Sequence, residues 1–107
     1  MSDILIKEIE DEIELIKNNL QHIGEMRPGS LNKQYRVPKE KKGAFYQLNY
    51  AHKKKSHTKY VRLQFVDEIK EQIATYKDFK ALTNRWIELA ILHSTLKMNL
   101  EKKKREK

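Results

Sequence analysis

Six apolar residues near the N-terminus, Ile6, Ile9, Ile13, Ile16, Leu20 and Ile23, recur at alternating intervals of three and four. That spacing keeps the side chains on one stripe of an α-helix. Over three heptads it forms the a/d seam of a coiled-coil-like groove. The seam predicts a first helix over residues 1–24 and requires a second helix to cover it. Ser2 or Asp3 can cap its start, acids crowd its early turns where the helix dipole favours them, and Gly24 stands where a left-handed residue would end it. Three heptads are short for a dedicated dimer zipper, and the same chain offers a partner.

That partner is residues 66–101, which contain no proline and no glycine. Ile69, Ile73, Tyr76, Phe79 or Lys80, Thr83, Trp86 or Ile87, Ala90, His93 and Leu96 or Lys97 recur there at helical spacing. Leu82, Leu89, Leu92 and Leu100 widen the stripe. The segment reads as one long helix, or two with a bend, of roughly 50 Å. Its basic tail, residues 102–107, suits a helix C-terminus and is expected to fray. The first helix should pack antiparallel on the long one. Apolar surface left over around Trp86, Ile87 and Ile91 predicts a homodimer interface through the helices.

Between the helices the periodicity changes to two. Tyr46, Leu48 and Tyr50 alternate with Phe45, Gln47 and Asn49, and Val61, Leu63 and Phe65 alternate with Tyr60, Arg62 and Gln64. This predicts a β-hairpin of residues 44–50 and 58–65, with Tyr46, Leu48 and Tyr50 on the core face. The connector, residues 51–57, is polar and lacks glycine, so a mobile basic loop longer than two residues is expected. Pro28-Gly29 marks a turn, after which Ser30 can cap a short turn through Gln34. Residues 35–42 read as an extended edge or loop. A third strand near residues 35–37 would help, because a lone hairpin is marginal in water. Residues 34–65 thus form a basic β region. The fold class is α+β in a single domain spanning residues 1–107.

Charge is distributed unevenly over these elements. Residues 33–62 hold ten Lys/Arg and one acid, Glu40, whereas residues 1–24 hold six acids and two lysines. The formal charge of +8 therefore sits mostly on the β region, together with Tyr35, Phe45, Tyr46, Tyr50 and Tyr60. Concentrated cations interleaved with aromatics fit a polyanion, and nucleic acid foremost. Lys53, Lys54, Lys55, Lys59 and Arg62 are the expected phosphate contacts, with Tyr60 beside them and Lys39, Lys41 and Lys42 as a second basic ridge. A two-stranded ribbon fits the DNA major groove, which puts DNA ahead of RNA. The plainer explanation is a solvated basic surface.

Other functions find little support. His22, His52, His57 and His93 lack metal-ligand spacing. No phosphate-binding glycine loop, nucleophile constellation or catalytic carboxylate pair is visible, and the acids of the first helix are explained by solvation and the dipole. The expectation is a protein that is not an enzyme and needs no cofactor. The absence of cysteine excludes disulfides and thiolate metal sites. The first residues do not resemble a secretory signal, and no apolar run approaches the ~20 residues of a membrane span. A cytoplasmic protein with no membrane partner is expected.

One pattern resembles a known family. Met26-Arg27-Pro28-Gly29-Ser30-Leu31, then Gln34-Tyr35-Arg36, then residues 43–50, Lys59-Tyr60-Val61 and a helix with Ile73, Ala74, Tyr76 and Phe79 are similar to an uncharacterised family of small bacterial and archaeal proteins often found near transposases or mobile elements. The resemblance covers roughly residues 24 to 100. Many such proteins carry a Cys-Gly-Lys-x-x-Cys-x-Cys run after the Gln-Tyr-Arg, which looks like a metal-binding knuckle. Here Val37-Pro38-Lys39-Glu40-Lys41-Lys42 stands in its place, so the resemblance implies no metal for this chain. It implies a DNA context and no particular activity. The leading expectation is a non-catalytic nucleic-acid-binding protein. The alternative is a helical protein–protein interaction module or assembly subunit.

Overall fold

The computed structural model describes the backbone of residues 2–105 and the side chains of residues 3–103. In chain order it has helix α1 (Ser2–Gln21), strands β1 (Ser30–Val37), β2 (Lys42–His52) and β3 (Lys55–Val61), and helix α2 (Val66–Arg105). Single 3-10 turns occupy Pro38–Glu40 and Leu63–Phe65. The α+β class and the contact of α2 with α1 are as expected. The residues group into two compact units, Gly24–Asp78 and Met1–Ile23 with Phe79–Lys107, and α2 contributes to both.

In the helical unit the heptad stripe does what its spacing requires. Ile6, Ile9 and Ile16 are buried, and Ile9 and Ile16 form a core with Leu89. Ile13, Leu20, Leu82, Trp86 and Leu96 pack around it. The helices run antiparallel. Arg85 Nε donates to Glu12 Oε2 at 2.6 Å and its Nη2 donates to Glu12 Oε1 at 3.2 Å, while His93 Nε2 lies 3.2 Å from Glu10 Oε2. Glu10 and Glu12 thus remain solvent-facing but also serve as interhelical partners, a role the reading by solvation and dipole did not include. Asp3 is the acid of the first turn.

The end of α1 also differs from expectation. The last turn tightens, with the His22 N–H donating to the Asn19 carbonyl at 3.2 Å and the Ile23 N–H to that of Leu20 at 3.3 Å. Those bonds satisfy terminal carbonyls without a left-handed residue, and Gly24 does not adopt positive φ. The Ser2 side chain, a proposed cap, lies outside the described residues, as do the side chains of the tail from 104 onward. α2 is one helix of 40 residues reaching Arg105. Ala90 and Leu92, placed on its inner stripe by spacing, are exposed, as are Ile87 (57%) and Ile91 (64%).

The second unit is an antiparallel meander, β1-β2-β3, backed by the first turns of α2. Leu48, 1% exposed at the middle of the central strand, packs in a core with Val61, Val66 and Ile73. Leu31, Tyr46, Tyr50 and Ile69 surround that core, so the tyrosines sit on the face expected of them.

Three expectations fail around this sheet. Ser30 caps no turn, because β1 starts there and pairs from Ser30↔Asn49 to Val37↔Lys42. Gly29 makes this possible. At φ +135° it lies so close to β2 that a Cβ would meet the Asn49 carbonyl oxygen at 2.9 Å, and the chain passes from the Pro-Gly turn directly into strand. Leu63 and Phe65 are not on an inward strand face but are 69% and 44% exposed. Pairing ends at Tyr46↔Val61, and the chain then turns through a 3-10 bond, Phe65 N–H to the Arg62 carbonyl at 2.9 Å, into α2. The β2–β3 connection, finally, is not a long loop but two residues, Lys53 and Lys54.

The Glu12–Arg85 pair has a pH consequence. The hydrogen bonds from Arg85 hold the Glu12 carboxyl below the ordinary glutamate range. In the unfolded chain that carboxyl takes up its proton at the ordinary, higher pH. The pair's contribution is therefore present at neutral pH and lost as pH falls through the lowered value. It is modest, because both groups face solvent. Arg85→Gln is expected to lower the urea midpoint slightly at pH 7 and to flatten its dependence on pH through the acid range.

Candidate nucleic-acid interface

Paired residues of an antiparallel sheet share a face, so the register assigns every side chain of the β region to one side. Leu48 fixes the inner face. Tyr46, Tyr50, Leu31, Lys33 and Tyr35 share it, as do Lys55, His57, Lys59 and Val61 on β3. Asn32, Gln34, Phe45, Gln47, Thr58 and Tyr60 belong to the opposite, outer face.

The expected site residues fall in two groups at opposite ends of β2. Lys39, Lys41 and Lys42 lie at the β1–β2 connection, where Lys41 takes a left-handed conformation after Pro38–Glu40. Lys53, Lys54 and Lys55 lie at the β2–β3 connection. The ten residue rises from Lys42 to His52 separate the groups by on the order of 33 Å. The structure therefore does not merge the two basic groups into one tip. Lys59 lies on the β3 edge opposite Leu48, Tyr60 points outward at 60% exposure, and Arg62 follows the end of β3. Lys55 and Lys59 also have a structural use, since charge on an edge strand deters pairing with another chain.

The β2–β3 turn is unusual in its chemistry. Lys53 and Lys54 both have positive φ, 52° and 65°. A two-residue hairpin turn of this kind favours Asn-Gly, because side chains crowd the backbone there. Lysine provides no such relief, so the turn holds two adjacent cations at a conformational cost.

Sequence reasoning passed over several residues now prominent. Arg27, named only within the Met26–Leu31 motif, lays its guanidinium 4.8 Å from the Tyr50 ring centre, and Tyr50 stacks on His57 at 4.9 Å. The segment is held there by the Arg27 N–H to the Gln72 carbonyl, 3.1 Å, and by Gln72 Nε2 to Glu25 Oε2, 3.2 Å. The outer-face amides Asn32 and Gln34 escaped notice because β1 was given a turn in place of a strand. The signal was present: Asn-x-Gln in β1 mirrors Gln-x-Asn in β2.

Among the described residues, no cluster of three or more His, Cys, Asp or Glu is arranged to hold a metal, and no helix is long and apolar enough to cross a membrane. No family model, curated protein or solved structure matches the chain, so its function must be read from its own residues.

The left-handed lysines at the hairpin tip have a measurable consequence for stability. The double variant Lys53→Asn, Lys54→Gly is expected to raise unfolding stability by roughly 1–2 kcal/mol through relief of the turn. Chemical denaturation followed by circular dichroism would measure the gain.

Proposed function

We propose that this chain is a non-catalytic nucleic-acid-binding protein that takes DNA in preference to RNA and contacts phosphates through its basic β region. The observation that carries this reading is the lack of internal neutralisation. Among Lys39, Lys41, Lys42, Lys53, Lys54, Lys55, Lys59 and Arg62, one residue, Lys42, forms an ion pair, with Glu40 at 3.5 Å. The others offer exposed, uncompensated charge. Two cationic ends about 33 Å apart can engage phosphates at separate points along a duplex, since one helical turn of DNA spans about 34–36 Å. The strained lysine pair at the tip supports the same reading, because strain of this kind concentrates at functional positions.

A second reading, a helical interaction module, is favoured by one observation. In the helical unit Ile4, Leu15, Ile87, Ile91 and Met98 are 57–65% exposed. Apolar groups this open suit a partner helix or a second copy. A stable protein complex in light scattering, together with no mobility shift of any oligonucleotide, would favour it.

Phosphate contacts release counterions, so affinity for DNA should fall steeply with salt. Replacing Lys53, Lys54 and Lys55 together with Ala is expected to weaken binding to all duplex sequences alike. It should also flatten the slope of log K against log salt by about 0.9 for every phosphate no longer neutralised. A salt-titrated anisotropy assay checks this, and unchanged low-salt affinity would sink the reading.

A further inference from the structure

The outer face of the sheet is the surface that phosphate neutralisation leaves unexplained. No helix of the sheet unit covers it, and its residues are all exposed or half-exposed. In a chain that is 36% charged, a merely solvated sheet face should carry several charges. This one carries charge at one end alone, where Arg36 near the end of β1 and Arg62 just after β3 lie, and none along its middle. The rest is a cluster of amides and hydroxyls around two aromatics. Phe45 and Tyr60 lie with ring centres 6.2 Å apart, and the Arg36 guanidinium is 5.9 Å from the Phe45 ring.

The amides are not engaged within the protein. Thr58 Oγ1 donates to Asn49 Oδ1 at 2.8 Å, which occupies the Asn49 carbonyl. Asn32, Gln34 and Gln47 make no side-chain hydrogen bond among the described residues and keep both donor and acceptor available. A side-chain amide with both functions free matches the N6 donor and N7 acceptor that adenine presents in the DNA major groove. Thymine's methyl group meets apolar side chains there, as Phe45 and Tyr60 provide.

We infer that the outer face of the sheet lies in the major groove of duplex DNA and reads adenine-containing base pairs through the Asn32, Gln34 and Gln47 amides. This rests on the DNA-binding reading above and adds base recognition to it. The axes of the outer strands lie roughly 10 Å apart against a major-groove width of about 12 Å, so the central strand would reach deepest and the edge strands would ride at the groove walls. Energetics favour it as well. Uncharged amides entering a groove exchange water for hydrogen bonds to base edges, at a smaller desolvation cost than a charged group. The lysines of the two connections lie instead at the ends of β2, away from the middle of the outer face.

The test selects duplexes from a random-centre library, then measures affinity for the enriched duplex and a scrambled one. An enriched site containing adenines is expected. Gln47→Ala should reduce the preference for it by about 5- to 150-fold, the range for removing one bidentate hydrogen-bonded pair with a base. Gln34→Ala, at an exposed position, should act in the same direction with less risk to folding. For both variants, scrambled-duplex affinity and the salt slope should stay unchanged. For the unaltered protein, 7-deazaadenine at the enriched positions should weaken binding, because it removes the N7 acceptor and leaves phosphates and minor groove intact. No enrichment, indifference to 7-deazaadenine, or tighter binding of the single strand would each overturn the inference while leaving phosphate-driven binding in place. No binding of any duplex at low salt would instead overturn the DNA-binding reading itself.

Discussion

Burial of Leu48 organises the sheet unit. It sits at the middle of the central strand, 1% exposed, against Val61, Val66 and Ile73. Side chains alternate strictly along a strand, so fixing one fixes the rest. With Leu48 inward, Tyr46 and Tyr50 must point inward beside it, and Phe45, Gln47 and Asn49 must point outward. Through the register, the same choice turns Asn32, Gln34 and Tyr60 outward on the neighbouring strands. A slip of one residue would bury amides and expose the tyrosines. The composition of the outer face thus follows from where a single leucine goes.

The long helix serves two cores with different stretches of its length. Val66, Ile69 and Ile73 close the sheet core, while Leu82, Trp86, Leu89 and Leu96 close the helical one. This explains why its apolar residues do not form one uniform seam. The α1 seam has one partner, and its spacing is correspondingly clean. Its polar flanks add specificity: the bidentate Arg85–Glu12 pair and the Lys17 ammonium, 5.6 Å from the Trp86 ring centre, fix how the two helices meet.

What could be read from residues follows the same physics. Periodic burial was legible. The isoleucine seam, the unbroken helix after residue 65 and the alternation around Leu48 all carry a repeating apolar signal. Features set by one backbone conformation were not. Pro28-Gly29 reads as a turn, and nothing in the residue types says that Gly29 approaches β2 closely enough to launch a strand. Leu63 and Phe65 continue the alternation of β3, yet β3 stops at Val61 because the chain must turn into α2. The hairpin tip misled most directly. Without glycine a tight turn seemed excluded, but lysine enters the left-handed region at a cost the paired strands can offset. Of the candidate site, the basic residues were visible as charge, while the amide face needed the register of β1.

The two ends of the sheet differ in what holds their backbone. At the β1–β2 connection Pro38 fixes a backbone angle, and Lys41 and Gly43 sit at positive φ. At the β2–β3 connection two adjacent lysines hold an unfavourable conformation, and the flanking strand pairs, from His52↔Lys55 onward, keep them there. The conformation of Lys53 and Lys54 and the order of the β2–β3 ladder therefore stand or fall together.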